Sequence, residues 1–198
     1  MKKIVILISI ISIWSSVSNF TFSQAESSPE MNVVYGKKHI FTVETPEKWI
    51  NDKESAKKIG LVCFFYAKVD ASLQPKSYIY ANGIDKASSD ETLEDFIKGD
   101  LEIYKKKYPN LLYENVDVTF TGGIKNRKMY TFSNLHDRFV EEVCYAETDA
   151  SILIFVFSAQ TADDFVKYRP VFDQFMRSFN YRGDNPQPFL DYLNSKKN

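Results

Sequence analysis

Two short segments of the sequence are apolar at every position: residues 61–66 (LVCFFY) and residues 152–157 (ILIFVF). A strand with one face in water alternates polar and apolar residues, whereas a strand that is apolar on both faces needs cover on both. Their length and their content of aromatic and β-branched residues favour strands. The two segments therefore predict a sheet that is covered above and below.

Two amphipathic helices can provide that cover. Residues 92–107 carry an apolar stripe at helical spacing, and residues 162–179 carry a second one. Thr161 followed by Asp164 is typical of a helix start. Pro170 either kinks the second helix or begins the longer part of it. The stripes consist of Leu93, Phe96, Ile97, Leu101 and Tyr104 in the first helix and Phe165, Phe172, Phe175, Met176 and Phe179 in the second.

The remaining apolar segments predict further strands. These are residues 39–43, 78–81, 116–120, 128–132 and 138–146, with Asn82 and Gly83 marking a bulge or turn. We predict an α+β fold, an α/β/α sandwich with an antiparallel sheet of about six strands and one helix on each face. Trp49 and Phe175 are predicted to lie in its core.

The first 25 residues have the pattern of a secretory signal peptide. Lys2 and Lys3 precede an 11-residue apolar run, and Ala25 ends an A-x-A-like site that predicts cleavage before Glu26. The alternative is an uncleaved anchor, but polar residues interrupt the run before it reaches the ~20 residues of a spanning helix. No cysteine near the site provides a lipoprotein anchor. We therefore expect a periplasmic or secreted protein without stable membrane insertion.

Length and composition place one domain after this leader. Of the 198 residues, residues 26–33 are predicted to be a linker, 34–181 the domain and 182–198 a polar tail. The formal net charge is −1 and becomes −3 without the two leader lysines. A nucleic-acid-binding protein normally has a strong basic excess, so that class is not expected.

Cys63 and Cys144 both lie in predicted strands. In an oxidising compartment they form either a disulfide or two buried free thiols, and the spacing does not decide between them. Neither belongs to a C-x-x-C motif, so thiol–disulfide catalysis is not expected.

Catalytic and cofactor motifs are scarce in the sequence. His39 and His136 are the two histidines, and G-x-S-x-G, EF-hand and glycine-rich phosphate motifs do not occur. We expect no cofactor and no metal. The basic cluster Lys125, Arg127 and Lys128 is either solvated surface or a contact patch for an anionic partner or lipid headgroup.

Three stretches resemble the PsbP-like family: residues 41–49 (FTVETPEKW), residues 92–96 (TLEDF) and residues 168–179, which begin YRPVFD and end RSF. The resemblance covers residues 34–181 and rests on the order strand, Pro-x-x-Trp, hairpin, helix, meander and terminal helix. It implies an α/β/α fold and a tendency to bind other proteins. It does not imply a shared active site, and no functional residue is carried over from it.

These observations predict an exported, non-enzymatic module that binds an envelope protein or a small apolar ligand. The binding surface is either the side of the loop at residues 125–128 or a cleft between a helix and the sheet. One alternative is a small secreted hydrolase with a site around His136 or His39, and another is a structural component of the envelope.

Overall fold

The computed structural model describes residues 29–68, 75–118, 123–124, 126–135 and 139–196. Within these residues the chain forms ten strands and four helices. The strands are β1 (Met31–Tyr35), β2 (Ile40–Glu44), β3 (Trp49–Asn51), β4 (Cys63–Ala67), β5 (Ser77–Asp85), β6 (Leu112–Val116), β7 (Arg127–Ser133), β8 (Val140–Glu147), β9 (Ser151–Ala159) and β10 (Asn180–Gly183). The helices are α1 (Lys53–Lys58), α2 (Leu93–Lys107), α3 (Ala162–Ser178) and α4 (Gln187–Ser195).

Seven strands form the central antiparallel sheet in the order β3-β4-β5-β9-β8-β7-β6. The apolar strand β9 lies in its middle, paired with β5 on one side and β8 on the other. We refer to the two sides of this sheet as the α3 face and the α2 face, after the helix that packs on each. The predicted α/β/α arrangement is confirmed, with one strand more than expected.

The α3 face is fully covered. Alternate residues of β4, β5 and β9, such as Phe65, Ile79 and Phe157, pack beneath α3 in one buried cluster. Phe175 of α3 and Trp49 of β3 belong to this cluster, as predicted. A separate three-stranded sheet in the order β1-β2-β10 adds further cover. Residues 39–43 therefore do not join the central sheet, which the sequence did not indicate.

The two long helices begin at threonines that cap them. The Thr92 hydroxyl accepts a hydrogen bond from the Asp95 amide at 3.2 Å, and the Thr161 hydroxyl accepts one from the Asp164 amide at 3.0 Å. Each bond satisfies an amide that has no partner within the helix. Helix α3 continues through Pro170 to Ser178.

Two predicted boundaries are wrong. Asn82 and Gly83 lie inside β5, which pairs with β9 in unbroken register from Ser77 to Asp85. The outer strand of the meander is Leu112–Val116 and not residues 116–120, of which 119 and 120 lie outside the described residues. This edge strand is mostly exposed, so its sequence does not show the alternation of a buried strand.

Strands and helices extend into the segments predicted to flank the domain. Strand β1 begins at Met31, inside the predicted linker, and α4 lies inside the predicted polar tail. Residues 1–25, with the predicted cleavage site at Ala25 and Glu26, lie outside the described residues. No helix among the described residues is both long and apolar enough to cross a bilayer.

The two cysteines are buried free thiols, so the disulfide alternative is wrong. Cys63 pairs with Ala81, Ala81 with Phe155, and Phe155 with Cys144, in one row across four strands. Three strand spacings separate the cysteines by ~14 Å, and a disulfide needs Cα atoms within ~7 Å. Burial raises the pKa of Cys63 to about 11 and that of Cys144 to about 12, so both stay protonated.

Candidate functional site

The α2 face of the sheet is covered at one end only. Helix α2 packs against β8, and Leu93 and Ile97 are buried there with Tyr145 and Val156. The β4 end of this face is not covered by α2, and Phe64 and Tyr66 of β4 are only half-buried. The expectation that residues 61–66 are covered on both sides is therefore wrong for this face of β4.

The uncovered end is concave and forms a groove beside α2. Its volume is about 540 Å³, within the range of ~300–1,000 Å³ typical of small-molecule sites. We call it the α2 groove. Its lining residues are Ile59, Leu61, Phe64, Tyr78, Tyr80, Asn82, Asp100, Tyr104, Val143, Ile154 and Val156.

Aromatic rings form one wall of the α2 groove. The ring centroids of Phe64 and Tyr78 lie 5.2 Å apart, and those of Tyr78 and Tyr80 lie 6.4 Å apart in a stacked arrangement. These residues alternate along the paired strands β4 and β5, which places all three rings on the same face. Such a wall offers a large apolar surface to a ligand at little cost in side-chain entropy.

Two carboxylates sit at the α2 side of the groove. The Tyr104 and Tyr78 hydroxyls donate hydrogen bonds to Glu141, at 3.0 Å and 3.4 Å. The Tyr145 hydroxyl donates one to Asp100 at 2.5 Å. All three tyrosine hydroxyls therefore donate their hydrogens to carboxylates of the protein.

Burial controls the ionisation of these groups. It raises the pKa of Tyr78 to about 12, with the nearby Glu141 as a second cause, and it raises the pKa of Tyr104 and Tyr145 further. It also raises the pKa of Asp100 above the ordinary value of an aspartate. The tyrosines are thus neutral hydrogen-bond donors at physiological pH.

The basic cluster predicted as a partner surface does not line the α2 groove. Lys128 forms an ion pair with Glu94 of α2 at 2.7 Å, and the Arg127 guanidinium donates to the backbone carbonyl of Ile124 at 2.6 Å. Lys125 lies outside the described residues. The two described members of the cluster are therefore engaged in contacts within the chain.

His39 lies with a serine and an aspartate, as a hydrolase would require. Its Nδ1 is 2.9 Å from Asp85 Oδ1 and 3.3 Å from Ser151 Oγ. In a catalytic triad the acid and the nucleophile contact different ring nitrogens, whereas here both contact Nδ1. Ser151 is fully buried, and a Cβ at Gly83 would overlap the His39 ring near Nε2. This cluster joins the residue before β2 to β5 and β9 and lacks the geometry for proton relay to a substrate.

Two further sequence predictions concern His136 and metal binding. His136 lies outside the described residues. Nowhere in the described ranges do three or more histidine, cysteine or carboxylate side chains group together so that they could hold a metal ion.

Sequence reasoning overlooked Asp100, the one acid among the described residues that line the groove. It follows Ile97 by three positions and precedes Tyr104 by four, so it lies on the apolar stripe of α2. An acid on such a stripe is the signal that could have found it. Tyr78 and Tyr80 carried no comparable signal, because aromatic residues are common in any strand.

Comparison with known proteins identifies the fold. No protein-family model and no curated protein sequence matches the chain. Cyanobacterial PsbP (CyanoP) from Synechocystis sp. PCC 6803 has a similar structure, with a TM-score of 0.51 and 13% identity over 80% of this chain and 96% of CyanoP. LpqN of Mycobacterium tuberculosis, which is involved in cell envelope biogenesis, has a TM-score of 0.49 and 13% sequence identity, over 78% of this chain and 92% of LpqN. The chain therefore has a PsbP-like fold, as the sequence resemblance implied.

Proposed function

We propose that the protein is an exported, non-enzymatic binding module that takes a small apolar ligand in the α2 groove. The observation that carries this proposal is the half-exposed wall of Phe64, Tyr78 and Tyr80. Small-molecule sites are usually clefts lined mainly by apolar and aromatic side chains with a few polar groups, and the α2 groove has such a lining. Export is supported by the predicted leader.

The shape of the groove favours a small ligand over a protein partner. A stable protein interface buries ~800 Å² on each side, whereas the α2 groove is a single concavity of about 540 Å³, a volume typical of small-molecule sites. The ligand is expected to be elongated or flat, because the wall runs along two adjacent strands. The arrangement around His39 gives no support to a hydrolase there, since its serine is buried.

Titration with Nile red, a neutral and flat aromatic dye, tests the proposal. We expect the wild-type protein to bind the dye saturably, with a rise in fluorescence. Phe64→Ala is expected to bind it about tenfold more weakly, because the loss of ~1.4 kcal/mol of aromatic contact corresponds to a tenfold change in affinity. Val166→Ala is the matched control, since Val166 is 74% exposed on α3, away from the groove.

Unchanged affinity of folded Phe64→Ala, or no binding of the dye by the wild-type protein, would contradict the proposal. Circular dichroism and the urea midpoint verify that both variants are folded. Phe64 is only half-buried, so its replacement leaves the buried cluster beneath α3 in place.

A further inference from the structure

The charge of the α2 groove restricts the chemistry of its ligand. Asp100 projects from α2 into the lining, and its described contact is the hydrogen bond from Tyr145. No basic side chain forms an ion pair with Asp100 in the part of the chain that the structure describes. None of the described lining residues is a lysine, arginine or histidine.

A second carboxylate, Glu141, bonds to two tyrosines of the groove lining. Glu141 lies behind Tyr78 and Tyr104 and accepts a hydrogen bond from each. A hydroxyl that donates to a carboxylate polarises its own oxygen and ring, which makes the exposed faces of these tyrosines more electron-rich. Electron-rich ring faces beside a carboxylate are the surroundings that attract an organic cation.

The two ends of the groove therefore differ. The β4 end, with Phe64, Leu61 and Ile59, is apolar, and the α2 end, with Asp100 and Tyr104, is polar and negative. A ligand that matches both has an apolar body and a positively charged head. An anionic ligand such as a fatty acid would place its carboxylate against Asp100.

We propose that the α2 groove binds an organic ammonium ion, with the charged nitrogen at Asp100 and an apolar body along Phe64, Tyr78 and Tyr80. This inference rests on the proposed binding function and specifies its ligand class. The ammonium donates a hydrogen bond to the Asp100 carboxylate and lies against the tyrosine ring faces. Asp100 is thereby paired in the complex with the counter-charge that it lacks within the described chain.

Three small molecules with one skeleton test this inference. 4-Phenylbutylamine is positively charged at pH 7, as a lysine side chain is, whereas 4-phenylbutanol is neutral and 4-phenylbutyrate is negative. By isothermal titration or ligand-observed NMR we expect the amine to bind at least about tenfold more tightly than the alcohol, as a hydrogen bond to a charged group allows. The carboxylate is expected to bind most weakly.

Substitutions at Asp100 identify the charge responsible. Asp100→Asn is expected to weaken binding of the amine far more than binding of the alcohol, so that the preference for the amine is lost. Glu102→Gln, an exposed acid on the same helix, is the control and should keep the preference for the amine. Tyr145→Phe removes the donor to Asp100 but keeps the carboxylate, so it should also keep the preference.

The stability of Asp100→Asn separates a binding role from a structural one. An acid whose pKa is raised by burial destabilises the folded state as the pH rises above the pKa of the unfolded chain. Asp100→Asn is therefore expected to have a urea midpoint at pH 7 equal to or above that of the wild type, while losing the preference for the amine.

The outcomes are distinguishable. Equal affinity of the wild type for the amine and the alcohol, or a preference that survives in Asp100→Asn, overturns the ammonium inference and leaves the binding groove in place. Binding of Nile red without binding of the amine also overturns it. Failure of Nile red to bind the wild-type protein contradicts the proposed function itself.

Discussion

Replacement of Phe175 by alanine is expected to lower the free energy of unfolding by about 3–5 kcal/mol, the usual cost of deleting a large buried aromatic side chain. Phe175 is 1% exposed, and its ring contacts Phe65 of β4 and Phe172 of the same helix. Trp49→Ala should cost a similar amount, because the indole packs edge-on against Tyr168 at 5.5 Å. Urea denaturation at constant pH measures both changes.

Val166→Ala provides the internal standard for this measurement. Val166 lies on α3 like Phe175 but is exposed, so its truncation should change the free energy of unfolding by less than about 0.5 kcal/mol. Midpoints of Phe175→Ala and Trp49→Ala that match this control would show that the core does not lie between α3 and the sheet.

Removal of Arg169 is expected to be equally costly, for an electrostatic reason. The Glu142 side chain, on β8 beneath α3, is 2% exposed and forms an ion pair with Arg169. Arg169 also pairs with Asp173 one turn further along the helix. Arg169→Met retains apolar contacts but leaves Glu142 buried without its counter-charge, which costs about 3–5 kcal/mol.

The pH dependence and a double variant identify this cause. Burial raises the pKa of Glu142 even with Arg169 present, and loss of the arginine raises it further. For an acid with a raised pKa in the folded state, the deficit grows as the pH rises above the unfolded pKa of ~4.3. Arg169→Met should therefore be closer to the wild type at pH 5 than at pH 8, and Glu142→Leu should rescue it. A deficit that is equal at both pH values and persists in the double variant would rule out the buried charge as its origin.

Much of the architecture could be predicted because it depends on local periodicity. The stripe in residues 92–107 corresponds to α2 within one residue, and Thr161 caps α3 as its spacing to Asp164 indicated. Residues 152–157 have to be buried on both faces, and β9 is the central strand. The spacing of apolar residues in a sequence shows which side of a helix or strand faces the core.

The incorrect predictions concern which strands pair and which part of the sheet each helix covers. Local sequence patterns contain no information on either. Residues 39–43 read as a strand of the central sheet, yet β2 pairs with β1 and β10 instead. Residues 61–66 read as fully covered, yet α2 lies over β8 and leaves one face of β4 half-exposed. The apolar character of that face predicted burial, but it could not show that α2 packs on β8 and leaves this part of the sheet uncovered.

The candidate site, too, could be predicted only in part. The α2 groove is a cleft between a helix and the sheet, one of the two positions predicted for a binding surface. Its residues come from the segment between α1 and β4 and from β4, β5, α2, β8 and β9, which no spacing along the chain brings together. Asp100 alone carried a readable signal, as an acid on an apolar stripe.

The central claim is that the uncovered wall beside α2 is where a ligand binds, and methyl NMR during titration with 4-phenylbutanol tests it most directly. The neutral alcohol makes the result independent of the ammonium inference. We predict that methyl resonances of Leu61, Val143, Ile154 and Val156 shift progressively with ligand, while those of Ile79 and Leu153 on the α3 face stay in place. Shifts confined to the α3 face, or no shift at the four groove residues, would contradict the account.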